Sequence, residues 1–111
     1  MFIDTQETHA WYALRVRSRY EKKIASLLEQ KGIEISLPLL QVTRQWSDRK
    51  KLIQVPLFRG YVFTRILMHL QRFEVLQTTG AVAFPGISGK IKAIPDEQMY
   101  WLDQVLHTGE D

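Results

Sequence analysis

At 111 residues, with 45% hydrophobic and 24% charged residues, six glycines and four prolines, the chain has the composition of one folded domain rather than a disordered or fibrous segment. It contains no cysteine, which excludes a disulfide scaffold, thiolate metal ligands and a cysteine nucleophile. The net charge of +3 hides an asymmetry: all 15 lysines and arginines fall between Arg15 and Lys92 against five acids there, a local charge of +10 that fits a partner of opposite charge or a basic solvated surface.

Met1 to Ala10 is polar and carries Asp4 and Glu7, unlike a signal peptide, and is expected to be a flexible segment preceding a domain over residues 11–107. No run of 18 apolar residues occurs, so a soluble cytoplasmic monomer with no membrane partner is expected. Trp11 to Val16 alternates, Tyr12, Leu14 and Val16 against Trp11, Ala13 and Arg15, and predicts a half-buried first strand. Ser18-Arg19-Tyr20-Glu21 then reads as a capping box for a helix from about Arg19 to Lys31, with Tyr20, Ile24, Leu27 and Leu28 at helical spacing and Gly32 closing it.

Ile35 to Trp46 predicts a strand running to an exposed tip at residues 47–51, and Leu52 to Ile66 a return strand interrupted by a bend at Pro56 and Gly60. Leu70, Phe73 and Leu76, three apart, predict a second helix between His69 and Thr78 ended by Gly80. A brief strand at Ala81 to Phe84 and a loop over Gly86 to Lys92 follow. Pro95, Asp96 and Glu97 open a last helix with Met99, Leu102 and Leu106 on one face, and residues 108–111 read as the start of a linker or tail. The order predicts an α+β fold, a ferredoxin-like β-α-β-β-α-β sheet with an additional C-terminal helix.

Nothing in the motifs points to catalysis. His9, His69 and His107 lie far apart and share no metal-ligand spacing, and there is no phosphate-cradling glycine loop or Ser-centred elbow, so no enzyme, metal or cofactor is expected. The informative stretch is Val55 to Phe63, where Phe58 and Tyr61 flank a glycine-containing bend. Such a bend can push aromatic rings onto the uncovered face of a sheet as an interaction site, although periodicity alone slightly favours two core rings.

That stretch resembles the F-P-G-Y-V hallmark of the N-terminal (NGN) domain of the NusG family of transcription elongation and antitermination factors. The likeness extends through Trp11-Tyr12, the Pro38 region, Thr79-Gly80-Ala81-Val82 before Phe84, and Ile94-Pro95-Asp96-Glu97. It implies a domain that binds RNA polymerase at the clamp coiled coil through Phe58 and Tyr61, with Phe84 and Ile94 as neighbours. It implies further that Gln71 and Arg72 reach the opposite lobe, and that Arg17, Arg19, Lys23, Thr78 and Thr79 touch the non-template DNA strand. Bridging the cleft would suppress pausing or termination. The family proline is Arg59 here, and the family's KOW domain would lie outside this chain; the F-R-G-Y core and short hairpin tip resemble the operon-directed, RfaH-like members.

Two rival readings use the same order of elements. Arg59 to Ile66 overlaps the RNP1 pattern of RRM single-stranded RNA binders at Arg59, Gly60, Tyr61 and Phe63, but departs from it at Val62, Thr64 and Ile66. A protein-interaction or small-ligand domain would leave the basic middle incidental and predicts no affinity for nucleic acid.

Overall fold

The structure, a computed structural model, describes residues 8–108, with side chains as far as Gln104. Most of the segments expected at the two ends, and the Leu106 side chain, lie outside the described residues. In chain order the elements are β1 (Ala10–Val16), α1 (Glu21–Gln30), β2 (Glu34–Ser36), β3 (Leu39–Trp46), β4 (Arg49–Pro56), β5 (Tyr61–Ile66), α2 (Met68–Leu76), β6 (Ala81–Ala83) and α3 (Asp96–Thr108). Four strands form an antiparallel sheet in the order β2-β5-β1-β6, the arrangement of a split βαβ unit, and β3 and β4 pair only with each other. No helix among the described residues is long and apolar enough to cross a membrane.

The two faces of the sheet follow from the strand period. Across β1 and β5, Tyr12 pairs with Thr64 and Leu14 with Val62, which places these residues on one face. Leu14, Val16, Val62 and Ile66 meet Ile24, Ala25 and Leu28 of α1 and Val75 of α2 there, and this is the main core. Ala13 opposite Phe63 and Arg15 opposite Tyr61 look the other way.

Several boundaries differ from the sequence expectation for identifiable reasons. The predicted strand from Ile35 to Trp46 is broken at Leu37-Pro38, because proline has no N–H to give a ladder; instead the Pro38 carbonyl accepts from Leu57 N–H at 2.9 Å. The return strand is likewise two strands, β4 and β5, separated by the Leu57 to Gly60 bend. Helix α1 starts at Glu21 rather than Arg19, since Arg19 lies at φ 69 in a turn closed by Tyr20 N–H to the Arg17 carbonyl, and the Ser18 side chain makes no capping bond. Its C-terminus behaves as expected: Gly32 at φ 81 lets Ile33 N–H reach the Leu28 carbonyl at 3.0 Å, the longer bond of a Schellman motif.

Helix α2 buries a different face from the one its threefold spacing predicted. Leu70 and Phe73 are 70% and 71% exposed, while Met68, Val75 and Leu76 turn to the core. The reason is angular: residues three apart drift around a 3.6-residue turn, and only the pair at 75 and 76, about two turns from Met68, stays over the sheet.

Gly80 fixes the approach of β6 to α1. Its carbonyl accepts from Arg17 N–H at 2.8 Å, its φ is +100, and a Cβ there would come within 2.9 Å of the Tyr20 ring. Gly80→Ala is therefore expected to destabilise the domain by about 2 kcal/mol, combining left-handed strain with the displaced ring. A urea midpoint equal to that of the unaltered protein would contradict this.

Candidate functional site

The bend between β4 and β5 is held from beneath. Gly60 has φ +81, its carbonyl accepts from Val16 N–H at 2.8 Å, and its own N–H donates to the Glu21 carboxylate at 2.7 Å. Glu21 is 6% exposed, and its charge sits in the first turn of α1, where the helix dipole favours an anion. The helix is thus anchored by a carboxylate bonded to the bend rather than by the predicted Ser18 cap.

This anchoring presents the aromatic pair on the face that α1 and α2 leave uncovered. Phe58 is 40% exposed and stands edge-on to Phe63 with ring centroids 5.5 Å apart. Tyr61 is half-buried on the same face, beside Arg15 of β1. Ile94 joins that face at its far end, since its N–H bonds to the Trp11 carbonyl at 2.7 Å and it pairs with Trp11 across the sheet edge. Phe84, expected beside them, belongs to the main core on the other face, 8% exposed and edge-on to Tyr12 at 6.3 Å. The RNP1-like stretch does not form a stacking platform: Phe63 is 8% exposed behind Phe58, and Ile66 is fully buried.

The basic residues divide into two groups that the sequence ran together. Arg17 and Lys23 flank the Tyr20 ring at 5.1 and 5.7 Å from its centroid, and Thr79 is exposed next to Gly80, where Tyr20 packs. Arg19 instead lines a cleft with residues from α1, β3 and the bend. Thr78, expected to touch DNA, is 5% exposed: its hydroxyl donates to the Glu74 carbonyl at 3.0 Å and accepts from the Lys31 ammonium at 2.8 Å, so it ties α2 to the end of α1.

At the start of α2 the Gln71 side-chain carbonyl accepts from Leu67 N–H at 2.8 Å, closing the first turn where no N-cap side chain does so. Arg72 is exposed, with Leu70 and Phe73 exposed on either side. Sequence reasoning used these two apolar neighbours only as the spacing of a helix, which does not show that they face solvent.

The described residues thus form a split βαβ sheet that carries a separately paired hairpin, an aromatic bend on the face away from α1 and α2, and a basic margin. The family model described as "Transcription termination factor nusG" matches residues 9–102, and the chain belongs to the NusG family. A solved structure of NusG from Thermotoga maritima, concerned with its domain interaction, superposes with a TM-score of 0.61 at 23% identity. The match covers 94% of this chain and 60% of that one, so this chain spans about three-fifths of the length of that NusG. No curated protein matches the sequence.

Proposed function

We propose that this domain rides on RNA polymerase during elongation, docking the sheet face that carries Phe58 and Tyr61 on the clamp coiled coil and suppressing pausing or termination by reaching across the DNA cleft. The observation that carries the reading is the placement of Phe58 and Tyr61, at the bend the family marks, on a face no helix of the main core covers. Ile94 extends that face, and Arg15 and Arg59 give it a basic rim suited to an apolar tip bordered by acids. Phe84 supports the docking face from within the core rather than touching the partner.

On the opposite side, Arg72 contacts the other lobe with Leu70 and Phe73 as apolar flanks, while Gln71 holds the helix start. Arg17, Lys23 and Thr79 face the non-template strand around Tyr20, with Arg19 across the turn. Affinity for free single strands is weak and falls steeply with salt, because polymerase presents the DNA.

The test is direct. The chain, added to purified polymerase on a template with a strong pause, should co-migrate with the elongation complex and shorten the pause. Absence of binding to polymerase would end this reading, and tight, salt-resistant binding to an isolated RNA oligonucleotide would replace it with an RNA-recognition role.

A further inference from the structure

Between the β1–α1 turn and the base of the β3–β4 hairpin lies a cleft of about 550 Å³. Four cations from four separate segments line it: Arg19 from the turn, Lys22 from α1, Arg44 from β3 and Arg59 from the bend. The one carboxylate in its wall, Glu21, is already bonded to Gly60 N–H. A cavity of this volume is about 10 Å across, close to the Debye length at physiological salt, so salt screens the four charges from one another only in part. Repulsion of that kind is relieved by an anion in their midst.

The framework around the cleft is fixed in place. The Lys22 ammonium donates to the Gln54 carbonyl at 2.9 Å, which ties α1 to the hairpin base. Arg19 is held in its turn at φ 69, a conformation a non-glycine residue adopts at a cost. The Arg44 and Arg59 side chains are exposed, and the ion pair between Arg65 and Glu34 lies elsewhere on the sheet. Guanidinium groups with their donors uncommitted suit the paired oxygens of a phosphate.

We propose that this cleft is a phosphate seat, which takes a backbone phosphodiester of the single strand passing the β1–α1 turn, gripped by Arg44 and Arg59. The inference rests on the reading that a DNA strand passes that turn and extends its path to the hairpin, away from Arg17 and Lys23. At Ser18 and Arg59 this cleft adjoins a second one of about 420 Å³, whose wall includes Arg15 and Tyr61 of the polymerase-docking face, so the strand would lie along the border of that face rather than across it. Arg59, which stands where the family has proline, thereby acquires a role: it sits at the junction of the two clefts.

The experiment measures binding of the whole chain to a fluorescent 12-nucleotide DNA strand by anisotropy, from low salt up to 200 mM. Arg44→Gln and Arg59→Gln should each weaken binding several-fold at the lowest salt. Each should also flatten the plot of log affinity against log salt by about 0.7, the value of one phosphate contact on a single strand. Their circular dichroism should be unchanged, since neither side chain supports the fold. An unchanged slope in these variants, alongside weakened binding in Arg17→Gln/Lys23→Gln, would overturn the seat and leave the DNA path standing. No binding by the unaltered chain at the lowest salt would overturn both. Equal affinity for an oligoglutamate peptide, lost in the same variants, would reassign the cleft to an acidic protein segment, and unfolding of either variant would make it structural.

Discussion

Phe58→Ala and Tyr61→Ala are expected to lower affinity for RNA polymerase about thirtyfold or more, the loss of roughly 2 kcal/mol that follows when an aromatic anchor is removed from the centre of an interface. The two rings reach that position differently. Phe58 lies in the bend, outside the ladder, and leans on Phe63 by its edge, so its truncation uncovers part of Phe63 without opening the core. Tyr61 begins β5 opposite Arg15 and faces away from α1 and α2, so the Leu14 to Val62 pairing behind it survives. Stability should therefore fall little in either variant. Phe63→Ala serves as the contrast: at 8% exposure it should cost about 3 kcal/mol or more and act through unfolding. Co-purification with polymerase, paired with urea midpoints, separates the cases. Undiminished polymerase binding by Phe58→Ala would show that docking uses another face.

The second large effect is on activity with binding preserved. Arg72→Ala combined with Gln71→Glu should remove pause suppression while leaving most of the affinity for polymerase, because the aromatic face supplies the anchor. Glutamate is chosen at 71 because its carboxylate can still accept from Leu67 N–H, so the first turn of α2 remains closed. The argument is one of populations: a bound factor shifts the clamp between open and closed only through contacts that differ between the two, and only simultaneous contact with both jaws differs in this way. A pause assay at saturating factor decides it. Full pause suppression by the double variant would remove the bridge from the mechanism and direct attention to the DNA contacts at Arg17, Arg19 and Lys23.

What the sequence could disclose was whatever depends on local spacing. The alternation of Trp11 to Val16, the Gly32 cap and Pro95 at the start of α3 each act within a few residues, and each is found where expected. The aromatic bend was visible for the same reason. Local spacing does not tell which way Leu70, Phe73 and Phe84 point, because a side chain's direction is set by packing against distant elements: the first two face solvent and the third, which the resemblance put beside the aromatic pair, faces the core. Thr78 looked like a surface hydroxyl until the Lys31 ammonium, 47 positions away, closed over it. The basic cleft could not be read at all, since Arg19, Lys22, Arg44 and Arg59 meet only after the hairpin folds back beside the helix.

The separate pairing of β3 and β4 has an evolutionary consequence. Their register, from Leu39 opposite Pro56 to Trp46 opposite Arg49, involves no strand of the four-stranded sheet. Insertions or deletions made in matched pairs near Ser47 and Asp48 would change the reach of this arm by about 3.4 Å per residue added to each strand, with no shift in the order or register of the sheet behind it. Selection can thus vary the arm's length and charge, and with them whatever it meets beyond the domain, while the face that carries Phe58 and Tyr61 stays the same.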